Sequence, residues 1–335
     1  MTSEEHWEKT GGGALAPGRR RPRLRKRVAW MYYIEQMTQS AIADALGLGR
    51  VTVLRLLSEA RALREVQISL SRDIEELAGL EFELQNKFDL AEAIVAPLAT
   101  EQSDPSAVIA AATGEYLSEM LRPDMTLGLG WGETLTRALD FIRVRQISRL
   151  SVISLLGGIT RARQANPAEF AWQFSRLFLA ECHLLSAPAV VDSPATKSAL
   201  IERCGLKEVF DLSKTLDGIV VSAGVIKLNS TTDYHGTISS RELQELRAAG
   251  AVGDVLYNFF DHDGRIVDHS LNQRGMSVPI ETLRAAPARV LVSGGKQKVE
   301  AMIGAINLLR PTALITDEAT AAALLAHGEA NAKRA

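Results

Sequence analysis

Beginning near Leu90, short apolar runs bounded by Gly or Pro alternate with longer amphipathic stretches, and this alternation constrains the fold more than any other feature. The runs fall at 93–96, 125–129, 150–156, 183–186, 218–221, 255–260, 290–292 and 313–315. Helical spacing fills the intervals near 106–121, 133–142, 168–180, 195–203, 239–249, 296–309 and 317–326. Apolar runs with no polar alternation suit strands buried on both faces, and strands separated by helices pair in parallel. Residues 90–330 therefore read as a mostly parallel, doubly wound α/β domain with helices on both sheet faces. In such sheets ligands sit outside the carboxyl ends of the strands, so loops that follow strands are the place to seek a site.

The N-terminal part has a different texture. Val28, Ala29, Tyr32 and Tyr33 share one face of a helix, and Ala41, Ile42, Ala45 and Leu46 share one face of a second. Thr38 is placed to cap that second helix. Val53, Leu56, Leu57 and Ala60 form a third apolar face. Between the last two helices, Ala43 is small enough for a close crossing, and Gly47, four residues later, can take the positive φ of a reversal. Residues 24–70 thus read as an all-α helix-turn-helix. Arg50, Val51, Thr52 and Arg55 are left on the outward, N-terminal side of the third helix, where base edges are read in a major groove. Gln39 and Ser40, which open the second helix, suit phosphates.

Charge supports a polyanion as partner for this part alone. Residues 1–72 hold 13 Lys and Arg against 7 Asp and Glu, whereas the remainder holds 25 against 33. Much of the excess lies in the run Arg19 to Arg27, and residues 1–23, with Gly11-Gly12-Gly13, Pro17 and Pro22, read as a disordered basic arm. Residues 71–89 read as a linker helix. Its stripe Ile74, Leu77, Leu80, Leu84 and Phe88 is narrow enough to need a partner, either its own chain or, as the favoured expectation, a second copy. No apolar run reaches the length of a membrane span and no secretory core is visible, so a cytoplasmic protein is expected. Cys182 and Cys204 are expected to be free thiols, and no metal or other cofactor is expected.

Within the larger domain, Leu127 to Leu135 runs from a strand through Gly128, Gly130 and Gly132 into a helix. Glycines admit a ligand to the backbone, and free N–H groups at a helix start attract an anion or hydroxyls. No Gly-Lys-Ser/Thr follows, so the loop is not a Walker A sequence, and Leu135 stands where a dinucleotide loop has its third small residue. Further strand ends are marked by Leu155-Leu156-Gly157-Gly158 and by Val292-Ser293-Gly294-Gly295, the latter leading to Lys298. Gly250 to Asp254 leads to Asp261-His262-Asp263-Gly264, and Thr316-Asp317-Glu318 opens the last helix.

Tyr32-Tyr33, Met37-Thr38-Gln39, Ile42-Ala43, Leu46-Gly47 and Val53-Leu54-Arg55-Leu56-Leu57 resemble the start of the SorC family of sugar-responsive transcriptional regulators. The later segments follow in that family's order, so the likeness covers roughly residues 24–327. It implies a helix-turn-helix of winged type and an effector domain of Rossmann-like, sugar-phosphate-isomerase-like fold. It also implies a dimer or tetramer, operator DNA as partner, and control by a small sugar, polyol or sugar phosphate. The effector pocket implied comprises Gly130, Trp131, Gly132, Glu133, Thr134, Leu135, Gly157, Gly158, Asp254 as hydroxyl acceptor and Lys298 as donor. Residues 167–174 and 187–193 resemble the branch that represses erythritol operons. Gly49, Arg64 and Glu133 depart from the family pattern. A carboxylate at 133 turned inward would repel a phosphate, which favours an uncharged polyol. The competing reading is a sugar-phosphate isomerase or deaminase with an accessory domain. Asp261, His262 and Asp263 would be its acid–base groups, although Asp-His-Asp-Gly equally suits a turn.

Overall fold

A computed structural model describes residues 17–63, 65–66, 75–100, 103–159, 166–226 and 237–327. The chain divides into two compact units, residues 1–68 and 69–335.

The first unit holds α1 (Pro17–Tyr33), α2 (Gln39–Leu46) and α3 (Arg50–Ala62). Val28, Ile42, Val53, Leu56, Leu57 and Ala60 bury together at its centre. Helix α1 begins at Pro17, so residues 17–23 of the expected arm are helical, while 1–16 lie outside the described residues. The physical reason is spacing: Arg21 and Arg25, one turn apart, reach Glu59 and Glu65, each at 2.6 Å, while Leu24 and Val28 join the core. No strand occurs among the described residues of this unit, so the winged type expected of it concerns residues outside them.

The second unit opens with α4 (Glu75–Phe88), then β1 (Glu92–Ala96), α5 (Ser106–Met120), β2 (Thr126–Leu129), α6 (Glu133–Ala138), β3 (Ser151–Ser154), α7 (Pro167–Phe178) and β4 (Glu181–His183). It continues through α8 (Pro194–Arg203), α9 (Lys207–Leu212), β5 (Gly218–Val221), β6 (Gly224–Val225), α10 (Ser240–Ala248), β7 (Gly253–Val255) and β8 (Asn258–Phe260). Helices α11 (Ser270–Arg274) and α12 (Ile280–Ala285) precede β9 (Ala288–Val292), α13 (Val299–Leu309), β10 (Ala313–Asp317) and α14 (Glu318–Ala326). Seven parallel strands form one sheet in the order β1-β10-β9-β5-β2-β3-β4. Successive strand residues point to opposite faces: Val290 and Val292 enter the layer under α5 and α7, and Leu291 enters the layer with α4, α13 and α14. Both layers are predominantly apolar, as continuous apolar runs require.

Two expectations need correction. The run 255–260 is a hairpin, β7–β8, which with β6 makes a separate antiparallel sheet. Its two-residue turn is Leu256-Tyr257, both at positive φ, with no Gly or Asn to betray it. The stripe on α4 is covered by its own chain: Leu77 and Leu84 are buried in the core that includes Val95 and Leu324. Ile74 lies outside the described residues. Lys87 fastens α4 by donating to the carbonyls of Leu325 and His327, each at 2.6 Å, at the negative end of α14.

Gly114 marks a tight helix crossing, since a Cβ there would lie 2.6 Å from Phe141 Cβ and 2.7 Å from the Ala138 carbonyl oxygen. Gly79, on the exposed side of α4, has open space around it. Gly114→Ala is expected to cost about 1–3 kcal/mol, whereas Gly79→Ala gains up to about 1 kcal/mol from helix propensity. Thermal denaturation of the two variants should move in opposite directions.

Candidate nucleic-acid interface and effector crevice

In the first unit the turn between α2 and α3 is set by backbone chemistry. Thr38 Oγ1 accepts from the Ala41 N–H at 3.1 Å and caps α2. Gly47, at φ +63°, ends that helix in the left-handed region with its N–H on the Ala43 and Asp44 carbonyls. Ala43 is buried at the crossing, and Val53 and Leu56 hold α3 down. What remains outside is the predicted face: Arg50 and Arg55 are exposed, Val51 is 83% exposed and Thr52 half-buried. Leu54 shares this surface, 50% exposed. It was not among the residues expected there, although its three-residue step from Val51 puts it on that face. Gln39, Ser40 and Arg50 line one concavity of about 510 Å³ together with Tyr32, Gln36, Met37 and Thr38. Side chains of that kind beside the start of α2 can cradle a backbone phosphate while the α3 face meets bases.

The basic run therefore has two roles. Arg25 is buried and donates to both Glu65 oxygens, at 2.6 and 2.7 Å, so it braces the unit. Arg23, Lys26 and Arg27 are exposed. The hydrogen bond from Arg25 holds the Glu65 carboxyl below its ordinary value, against the opposing effect of burial. A carboxylate depressed by folding stabilises above its unfolded value, and that stability drains away as pH falls through the folded one. Glu65→Gln is accordingly expected to lower the melting temperature at neutral pH. In acid strong enough to protonate the wild-type carboxylate the two melting curves should converge.

In the second unit the crevice follows from topology. The chain leaves β2 towards β3 on one side and leaves β5 towards β9 on the other, so the order of crossovers reverses between β2 and β5. The loops after those strands flank that switch point, where ligands sit in sheets of this kind. Gly130 and Gly132 lie in the first of them. The Gly130 N–H donates to the Val220 carbonyl at 2.8 Å, and a Cβ on it would press on Val220 O and Val221 Cα, both at 3.1 Å. Gly132 has φ +141°, open to glycine, and faces Ser222. Trp131, half-buried, meets the Tyr257 ring edge-on at a centroid distance of 6.0 Å. Tyr257 donates its N–H to Asp254 Oδ2 at 2.9 Å, which steadies the strained turn, and Asp254 Oδ1 occupies the space a side chain on Gly224 would need. Burial, and then the Asp254 charge, push the Tyr257 hydroxyl above its usual pKa. Lys298 is half-buried in the short turn after β9, the neighbour of β5, and β6 packs against that turn. The turn is held from beneath: the buried Asp317 accepts from the Gly295 N–H at 3.0 Å and the Thr320 hydroxyl at 2.6 Å.

The structure thus brings Gly130, Trp131, Gly132 and Asp254 to one side of the sheet end, with Lys298 near β6. Three predicted residues behave otherwise. Leu135 is fully buried in the apolar layer beneath α5 and α6, where it supports the loop. Gly157 is buried against the Ala187 and Pro188 carbonyls, where a Cβ would lie within 2.8 Å, and its absent side chain serves chain packing. Glu133 is exposed and paired at 2.6 Å with Arg137, which also reaches Asp104. The inward carboxylate that would repel a phosphate is therefore not observed. Thr134, in the first turn of α6, and Gly158, in the loop after β3, are half-buried. Asp261-His262-Asp263-Gly264 is a turn closed by the Gly264 N–H on the Asp261 carbonyl, with His262 and Asp263 exposed.

Among the described residues no group of three His, Cys, Asp or Glu could hold a metal, and no helix is long and apolar enough to cross a membrane. Cys182 and Cys204 are free thiols.

Comparison with known proteins matches residues 72–326 to a family described as a sugar-binding domain. The erythritol catabolism regulatory protein EryD of Brucella abortus is 29% identical over 313 residues, covering 92% of this chain and 98% of its own. The transcriptional regulator LsrR of Klebsiella pneumoniae is 31% identical, covering 90% of this chain and 92% of its own. The crystal structure of the full-length sorbitol operon regulator SorC from Klebsiella pneumoniae superposes with a TM-score of 0.69 at 26% identity, covering 90% of this chain and 98% of that one.

Proposed function

The chain belongs to the SorC family of sugar-binding transcriptional regulators, and we propose that it represses a polyol or carbohydrate operon by binding operator DNA through α2 and α3 as a homo-oligomer. The observation that carries this reading is the outward face Arg50, Val51, Leu54 and Arg55, held over an apolar crossing that leaves those side chains no core to enter. Arg can bind guanine with two hydrogen bonds, and the apolar pair suits thymine methyls. The setting is the cytoplasm, where the operator is.

The effector is a short polyol, sugar or their phosphate, seated at the β2–β5 cleft. A relative named for erythritol catabolism makes erythritol the first compound to try. Asp254 accepts from a hydroxyl there, Lys298 donates, and Trp131 offers an apolar wall. Gly130, Gly132, Thr134 and Gly158 shape the loops around it. Because the turn at Leu256-Tyr257 is strained and hangs on Asp254, a ligand that competes for that carboxylate alters the packing of Tyr257 on Trp131. Differential binding of this kind, worth about 1–3 kcal/mol, changes operator affinity roughly 5–150-fold.

An isomerase or deaminase is the weaker reading. The Asp261 to Gly264 segment is committed to a turn, and its carboxylates are engaged, Asp261 with the Arg265 N–H and Asp263 with the Arg265 side chain. The relatives matched are regulators, in keeping with a non-enzymatic role.

Arg50→Ala is expected to cost about 1–3 kcal/mol on the preferred operator and to flatten base preference at one position. Neutralising Arg19, Arg20 and Arg23 together should weaken every sequence alike, with the logarithmic salt slope falling by about 0.9 for each phosphate that is no longer neutralised. Anisotropy titrations at several salt concentrations separate the two, and equal loss of preference from both would contradict the assignment. For the effector, calorimetry with erythritol and its phosphate should show binding of at least one that Asp254→Ala removes. Unchanged binding in that variant would move the site elsewhere.

A further inference from the structure

The two edges of the seven-stranded sheet are finished differently. At β1 the Val95 N–H donates to Glu81 Oε1 at 2.9 Å, so a carboxylate from α4 seals that edge. At β4 the ladder uses the Glu181 N–H, which donates to the Leu150 carbonyl, and by the two-residue repeat that of His183. The N–H and C=O of Cys182 therefore project from an edge that no strand among the described residues pairs. Unsealed edges invite another strand.

Helix α7 supplies what a three-residue strand lacks. Ser175 on this helix interacts with the Cys182 thiol, so this flank of α7 overlies β4. Trp172 lies one turn before Ser175 and Leu179 joins α7 to β4; they are 54% and 72% exposed. Leu179 is also held at φ +53°, in the residue that ends α7 immediately before the strand. A large aromatic and a leucine standing bare beside an open strand form the apolar centre of an association surface.

We infer that the β4 edge, with Trp172 and Leu179 beside it, is a twofold interface with a second copy of this chain. The choice of occupant rests on self-complementarity. Antiparallel pairing centred on Cys182 lets each Cys182 exchange both backbone bonds with its counterpart and sets Glu181 opposite His183 of the second copy. A carboxylate thus meets an imidazole twice across the axis, as the symmetry of an isologous contact requires. An unrelated strand would satisfy the backbone but would have no reason to carry that pattern. This inference supplies an interface for the homo-oligomer of the operator reading, and is tested without DNA or effector so that the two can fail separately.

The test is the mass of the full-length protein by light scattering after size exclusion, with circular dichroism melting to confirm folding. Trp172→Glu with Leu179→Glu is expected to halve the mass of the assembly. His183→Glu, a single change at a half-exposed position, places like charges opposite each other and should weaken association about tenfold. If the double variant unfolds, the His183→Glu result decides alone. A wild-type monomer, or folded variants that keep the wild-type mass, would overturn the interface. Loss of DNA binding with the assembly intact would count against the operator reading instead.

Discussion

Parallel strands buried on both faces cannot close on their neighbours by tight turns, so every connection must cross over a face, and the direction of crossing must change somewhere. Here it changes between β2 and β5. The seam is drawn tight by the Gly130 N–H on the Val220 carbonyl, and only glycine fits that approach without crowding Val221. From this constraint the rest of the second unit follows. The loops after β2 and β5 meet there, with Gly132 facing Ser222, β6 follows directly from β5, and Trp131 is brought to Tyr257. The candidate site is a consequence of strand order before it is a property of any side chain.

The first unit depends on a smaller constraint of the same kind. A buried Ala43 and a left-handed Gly47 let α2 and α3 meet, and once they do the apolar side of α3 is spent on that contact. Its opposite side must then face solvent or a partner. That two arginines lie there with two aliphatic side chains makes the partner a duplex groove more readily than a protein surface.

Much of this was legible in the amino-acid order. The strands at 93–96, 218–221, 290–292 and 313–315 lie at or within observed strands because runs buried on both faces leave no alternative spacing. Thr38 and Gly47 were visible because capping and left-handed turns demand particular residues. The hairpin at Leu256-Tyr257 was hidden, since its turn uses bulky residues at positive φ that tertiary packing enforces. Helix α1 could not be seen to start at Pro17, because the acids that neutralise Arg21 and Arg25 come from a distant stretch of chain. In the same way Leu135 follows the exposed Glu133 and Gly157 precedes the half-buried Gly158, and only the folded neighbours show that they serve packing. The orientation of Glu133 depends on Arg137, and the four-residue step between them was there to notice.

The account stands on coupling between the cleft and the α3 face, and one titration addresses it directly. Labelled DNA from upstream of the protein's own gene is held with the full-length protein, and a panel of short polyols and their phosphates is added while anisotropy is followed. At least one compound should shift the DNA dissociation constant by roughly 5–150-fold, and Asp254→Ala should abolish the shift while leaving ligand-free DNA binding intact. Tight DNA binding that no compound in the panel alters, or no DNA binding even at low salt, would contradict it.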